Sequence, residues 1–299
     1  MAKDVATHWT VEACESIRDN YYAFIAYYSD ELHDKSLYNE KLISDFHVAI
    51  KQHQFEVFYQ PKYLITGEKP VLSSADALIR WRHPEFGMVS PGLFIPLFES
   101  NGLIQKLDYY VFEEVARQLG TWKKELGLVK PVSVNLSRID IYHPHLKEEI
   151  EELLHQNNVT TEEILLEVTE SGFLEDSGQI IPFIEDLRQS GFVIEMDDFG
   201  SGYSSLNMLA SMPFDVLKID MQFIRSINKG EKNNKIVKMI IDIAKAMNAT
   251  VVAEGVEEAY QYQFLKDNGC DVIQGYYFSK PLPKDLFEQL LIKEGKDDR

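Results

Sequence analysis

The sequence is poor in cysteine, in long apolar runs and in positive charge. Its two cysteines, Cys14 and Cys270, are too few for a disulfide framework, and no metal-ligand pattern surrounds either, so both read as small buried residues. No stretch approaches the roughly 20 consecutive apolar residues of a membrane span. The opening "MAKDVATHW" has neither the basic start nor the apolar core of a signal peptide, so the expectation is a cytoplasmic chain with no membrane segment. Lys and Arg number 30 against 48 Asp and Glu, a formal charge of −18. That balance argues against nonspecific binding to DNA, RNA or an anionic membrane, because a phosphate backbone rewards a basic surface. A phosphate substrate would need local cations, either side chains or metal ions held by carboxylates.

What is present is enough for a large core, since 45% of the 299 residues are hydrophobic. Residues 1–50 are rich in helix formers and tyrosine, and "KSLYNEKLISDFHVAI" spaces its apolar residues as a helix does; this stretch reads as a helical lead-in. From residue 55 the rhythm changes. Short strand-like runs, "FEVFYQP", "ALIRW", "PVSVNLS", "ILLEVTE", "FVIEMDD", "DVLKID", "TVVAEGV" and "DVIQGYYF", alternate with helical stretches such as "DYYVFEEVARQLGTWKKELG", "IIPFIEDLRQSG", "KIVKMIIDIAKAMN" and "EAYQYQFLKDNG". Several of those helices end on Gly or Asn, the usual C-terminal stops. Eight strands alternating with helices predict an α/β fold, a (β/α)8 TIM-like barrel, over an open doubly wound sheet. The expected boundaries are the lead-in at 1–50, the barrel at 51–292 and a solvated tail at 293–299.

The barrel is favoured by where polar residues fall. Near the C-terminal end of each run stand Gln60, Asp76 with Arg80, Asn135, Glu167, Asp197 with Asp198, Lys218, Glu254 and Gln274. A single acid there is more often a helix cap. Delivered by several strands to the top of one barrel, they would face each other across a pocket. Crowded carboxylates repel unless cations neutralise them. The donors are all oxygen, so Mg²⁺ or Mn²⁺ is expected over Zn²⁺, and their number suggests two ions, the arrangement that assists displacement at phosphorus. Lys218 among the acids could orient or deprotonate a water, or be a structural ion pair. Arg80 could hold a phosphate or be an exposed salt-bridge partner. Gly200 and Gly202 in "DDFGSGYSSL" mark a loop that folds tightly or moves.

The segments "FYQPK", "ALIRWRHPEFGMVSPGLFIPLFESNGLI", "VSVNLS", "LLEVTES", "MDDFGSGYSSL", "LKID", "VVAEGVE" and "IQGYYFSKPLP" resemble, in order, those of the EAL-domain cyclic di-GMP phosphodiesterases. The resemblance implies a modified barrel with one antiparallel strand, Mg²⁺- or Mn²⁺-dependent hydrolysis of cyclic di-GMP to linear pGpG, and a homodimer. It implies metal ligation by Asp76, Asn135, Glu167, Asp197, Asp198 and Glu254, and Lys218 as base or water-orienting group. Gln60 and Gln274 would line the site and Arg80 would meet the ligand's phosphate. Glu170 would hold the glycine loop, with Glu257 a second supporting acid. One position departs: where the family has Glu-Ala-Leu, this chain reads Asp76-Ala77-Leu78. The alternative it raises is a cyclic di-GMP receptor of little or no turnover. A proton-abstracting barrel enzyme with acids and a lysine on its strands is a further rival, but it leaves the glycine loop and the motif order unexplained. The N-terminal segment resembles the end of a GGDEF domain, which implies an upstream regulatory or GGDEF partner, although no GGDEF signature is present.

Overall fold

The computed structural model describes residues 29–175, 177–200, 209 and 211–297. The chain forms two compact units, one of residues up to Phe55 with Trp81–Gly102, the other of Glu56–Arg80 with Leu103 onward.

The first unit is built on α1 (Asp30–Lys51). Ser29, in extended backbone, caps it by accepting a hydrogen bond from the Leu32 amide at 3.3 Å. Leu42, Phe46 and Ala49 recur at helical spacing and are fully buried. Helix α2 (Pro91–Asn101) starts on a proline, whose missing N–H costs nothing in a first turn, and stops at Gly102, left-handed at φ 77°. Phe94 and Phe98, four apart on α2, join Phe46, Phe55 and Trp81 in an aromatic cluster with ring centres 4.9 Å apart for Phe46–Phe98 and 4.8 Å for Phe55–Trp81. Residues 1–28 of the expected lead-in lie outside the described residues.

The second unit is the barrel. Its strands are β1 (Phe55–Leu64), β2 (Val71–His83), β4 (Val132–Asn135), β5 (Ile164–Thr169), β6 (Val193–Phe199), β7 (Val216–Ile219), β8 (Thr250–Ala253) and β9 (Val272–Gln274), while β3 (Gly87–Val89) pairs with the end of β2 and β10 (Leu282–Pro283) with β1. Neighbours run β1-β9-β8-β7-β6-β5-β4-β2, and β1 pairs with β2 to close the ring. From β2 through β9 each pair is parallel, whereas β1 lies antiparallel to β9 with Lys62 opposite Gln274. The fold is thus a closed eight-stranded TIM-like (β/α)8 barrel with one reversed strand. The strands read as continuous apolar runs because both faces are covered; all four residues of β7 are buried.

Helices α3 (Ile104–Leu126), α4 (Leu146–Gln156), α5 (Glu170–Glu175), α6 (Ser177–Gln189), α7 (Met221–Ser226), α8 (Glu231–Ala246), α9 (Ala259–Asp267) and α10 (Lys284–Asp297) complete this unit. Leu107, Val111, Val115, Leu119 and Trp122 form the buried stripe of α3, which ends at left-handed Gly127. Of the segment expected as a solvated tail, 293–299, residues 293–297 continue α10, which buried Phe287 and Leu291 anchor, and residues 298–299 lie outside the described residues. No helix among the described residues is long and apolar enough to cross a membrane.

Candidate functional site

The functional side chains converge because each barrel strand brings one or two polar residues to the same level. Lys218 Nζ, on β7, is the hub. It lies 2.7 Å from Glu167 Oε1 on β5, 2.7 Å from Glu254 Oε1 just past β8, 3.2 Å from Asp197 Oδ1 on β6 and 3.3 Å from Asp76 Oδ2 on β2. Lys218, Glu167 and Asp76 are buried. An ammonium and its acids survive such burial only by compensating each other.

Asp197 and Asp198 answer the oddest feature of the sequence, two adjacent acids at a strand end. Successive side chains of a regular strand point to opposite faces. Here Asp198 has a left-handed φ of 56°, and the β6–β7 register slips between Met196 and Phe199. This bulge lets both aspartates offer an oxygen to one place, where oxygens of Asp197, Asp198 and Glu254 all lie within 4.8 Å of one another. Directly after it, Gly200 has φ +94°, and a Cβ there would come 2.3 Å from the Phe223 ring of α7. The Gly200 amide donates to Glu170 Oε2 at 2.6 Å, so buried Glu170 pins the start of the glycine loop. Gly202 lies outside the described residues.

Asn135 is exposed at the end of β4, level with Glu167 in the register. Gln274 is buried at the end of β9 and donates to Gln60 Oε1 on β1 at 3.3 Å, while its own Oε1 is buried without a partner among the described residues. Arg80 follows Asp76 and Leu78 on one face of β2. Its half-buried guanidinium sits 5.7 Å from the centre of the Phe58 ring and donates to the Ile79 carbonyl at 2.9 Å; neither described partner is a carboxylate. Glu257 is not brought to the acid cluster: it is exposed, with Arg225 at 3.5 Å.

Sequence reasoning missed Lys62, Ser133 and Glu195. Lys62 on β1 is fully buried, with Nζ 2.8 Å from Glu195 Oε2 and hydrogen-bonded to Ser133 Oγ. It also lies 2.5 Å from Asp76 Oδ1, an ion pair without hydrogen-bond geometry. Oxygens of Asp76, Glu167 and Glu195 form a second close group within 4.8 Å. The signal was available, since a charge at the centre of an apolar strand is costly unless paired.

The charges shape the titration. Burial alone would push the Lys218 ammonium down, but Asp197, Asp76, Glu167 and Glu254 together hold it well above its ordinary value, so it is a cation at neutral pH. Burial pushes Asp76 up, yet Lys218 and Lys62 outweigh it and leave that carboxyl below the usual range. Glu167 is raised well above the usual range by burial and by the charge of Asp76. Burial lifts Glu254 to about 7, with Lys218 opposing and Asp197 adding to the shift. Asp198 is raised by burial and by Asp197. The site holds six carboxylates and two ammoniums, an excess of four negative charges if all ionise, which two divalent cations would offset. The oxygen-only donors of Asp197, Asp198 and Glu254 fit a hard cation such as Mg²⁺ or Mn²⁺.

The EAL domain family model matches residues 43–281. The chain is 36% identical over 266 residues to the cyclic di-GMP phosphodiesterase NbdA of Pseudomonas aeruginosa, covering 89% of this chain and 34% of NbdA. It is 35% identical over 251 residues to the bifunctional diguanylate cyclase/cyclic di-GMP phosphodiesterase MucR of the same organism, covering 84% of this chain and 36% of MucR. The chain therefore spans about a third of the length of these relatives. A solved structure, the PaMucR phosphodiesterase in complex with c-di-GMP, superposes with a TM-score of 0.76 at 34% identity, covering 83% of this chain and 99% of that one.

The raised acids make metal-free stability depend on pH. Between the ordinary carboxylate range and about 7, the folded protein keeps a proton on Glu254 that the unfolded chain has released, so stability rises as pH falls through that window. Thermal melts in chelator should show a higher Tm at pH 5.5 than at pH 8, and Glu254→Gln should remove much of that difference. Mn²⁺ affinity should run the other way and strengthen with pH, because the metal displaces the proton. Equal pH dependence in parent and Glu254→Gln melts would count against the shift.

Proposed function

The chain belongs to the EAL domain family, and from that premise we propose that it hydrolyses cyclic di-GMP to linear pGpG with Mg²⁺ or Mn²⁺, two ions per site. The observation that carries the reading is the gathering of carboxylates from four strands on Lys218, beside the Asp197–Asp198–Glu254 group. Asp76, Asn135, Glu167, Asp197, Asp198 and Glu254 would hold the metals. When bound, such ions stabilise charge on the phosphate and lower the pKa of a water.

The chain's own groups divide the remaining work. Lys218 is held as a cation by its four acids, so it acts as a donor that orients the attacking water and offsets developing charge, in preference to acting as a base. Arg80, half-buried and without a carboxylate among its described partners, is left free to meet a phosphate oxygen of the ligand. Gln60 and Gln274 line the site, and the unpaired Oε1 of Gln274 is an acceptor for a ligand N–H. Glu170 keeps the glycine loop, and with it Asp198, in register. Glu257 is further from this chemistry, and its support would act through Arg225. The names of the relatives support a place in a longer signalling protein with an upstream regulatory or diguanylate cyclase domain; family resemblance alone supports a cytoplasmic homodimer.

Incubation with cyclic di-GMP and Mn²⁺ should yield pGpG by chromatography, with none after exhaustive chelation and little with Ca²⁺, whose longer bonds misplace the water. Glu167→Gln and Lys218→Ala should each lower turnover by about 100-fold or more, Lys218→Ala with a lowered Tm because it leaves buried carboxylates short of a cation; near-parental rates would remove the assigned roles. Arg80→Ala should weaken cyclic di-GMP binding by calorimetry while metal affinity stays put, and unchanged ligand affinity would dismiss the phosphate contact. One observation favours the receptor reading: Asp76 lies between two ammoniums and is one carbon shorter than the family's glutamate, roughly 1.5 Å of reach. Asp76→Glu should therefore raise turnover or tighten metal binding, whereas absence of pGpG with either residue and any metal would select the receptor.

A further inference from the structure

Beneath the Lys218 hub lies a second cation that the proposed chemistry leaves unused. Lys62 has no solvent exposure, and its ammonium donates to Glu195 and Ser133 and forms an ion pair with Asp76, partners on three different strands. Glu195 stands two residues before Asp197 on β6, hence on the same face, and is level with Glu167 across the β5–β6 register. Ser133 is level with Asp76 across β2–β4. The carboxylate of Asp76 is thereby divided, with Oδ1 turned to Lys62 and Oδ2 to Lys218. Glu167 Oε1 is 3.8 Å from Lys62 as well.

We propose that Lys62, anchored by Glu195 and Ser133, is a positioning residue: its ammonium is the resident cation of the Asp76–Glu167–Glu195 group and fixes which oxygen of Asp76 faces the metal side of the site. Two consequences follow. The three carboxylates lie close enough to share a cation, and Lys62 already supplies it, so no divalent ion is needed among them, and Asp76 and Glu167 meet the metals from the side of Asp197, Asp198 and Glu254. Asp76 also has its shorter side chain held from behind, which replaces by a fixed orientation some of what it lacks in length. The inference rests on the reading of Asp76 as a metal-side residue.

The test is Mn²⁺ binding to the substrate-free protein, by equilibrium dialysis and calorimetry. Lys62→Met removes the charge while keeping length and apolar stem, and leaves Glu195 without a cation and Asp76 and Glu167 with Lys218 alone. It should bind one more Mn²⁺ per chain than the parent. Adding Glu195→Leu to it should return the stoichiometry to the parental number, since the third carboxylate of the group is gone. In the Lys62→Met variant kcat should fall by about 10- to 100-fold with little change in KM, as expected when a group that orients a ligand is lost. Should Lys62→Met not fold, Glu195→Gln decides: the ammonium, without its anionic anchor, has its charge left to Asp76 and Glu167 alone, and Mn²⁺ affinity should drop by about tenfold. A folded Lys62→Met variant with parental Mn²⁺ stoichiometry overturns the proposal, as does a Glu195→Gln variant with parental affinity where it is the deciding case. The Mn²⁺-binding readouts need no hydrolysis, so a chain that binds Mn²⁺ as described yet forms no pGpG would defeat the phosphodiesterase reading alone.

Discussion

Four carboxylates from four strands meet the single ammonium of Lys218, and the top of the barrel is arranged around that meeting. A buried ion costs several kcal/mol unless it is closely paired and hydrogen-bonded. Lys218 can therefore exist on an all-buried strand only if its neighbours deliver acids to its level, and those acids can be buried only if the lysine is there. Each strand's register is tied to the others by this mutual need: Asn135 stands opposite Glu167, Thr169 opposite Asp197, and Lys218 opposite Val252. A slip of one residue in any of them would turn a charged side chain out of the group and leave its partners unpaired.

Two departures from regular strand geometry let the chain meet this demand. The bulge at Asp198 gathers adjacent aspartates that an ordinary pleat would separate, and Gly200 follows at once because no side chain fits against Phe223. The reversed strand β1 does something different. Because it runs against its neighbours, it reaches the level of the site along its length, with Gln60 and Lys62 on one face, and its C-terminal end does not stop there.

That reversal explains what was legible in the sequence. The eight barrel strands were readable because each is a short apolar run with a polar residue near its end, and the acids of β2, β5, β6 and β8 stood out for the same reason. Lys62 did not, since Pro61 suggests a strand that has finished, whereas β1 continues to Leu64. A proline fits there because β1 pairs only in parts with its neighbours, so an N–H can be spared. Glu195 was hidden by alternation: in "VIEMDD" a glutamate between Ile194 and Met196 looks outward-facing, but in a closed barrel the alternate face is the filled interior. Helices α2 and α4 were not read from periodicity. The first begins and ends on turn residues and is too apolar to show two faces, and the second is a short stretch dominated by acids.

The Lys62–Glu195 pair also has to be explained energetically. Two opposite charges with almost no exposure contribute little net stability, and well-packed apolar residues of the same volume often do as well or better. The pair adds no net charge to the site either, so it does not alter the excess that two divalent ions would offset. What it does change is direction. Without it, Asp76 would be drawn toward Lys218 alone and both of its oxygens would be free to follow; with it, one oxygen is held below and only the other faces the hub. An aspartate in place of a glutamate leaves a gap that a moving side chain would fill badly, and a fixed one fills reproducibly. The buried lysine on the reversed strand is thus better accounted for by where it holds Asp76 than by any contribution to folding.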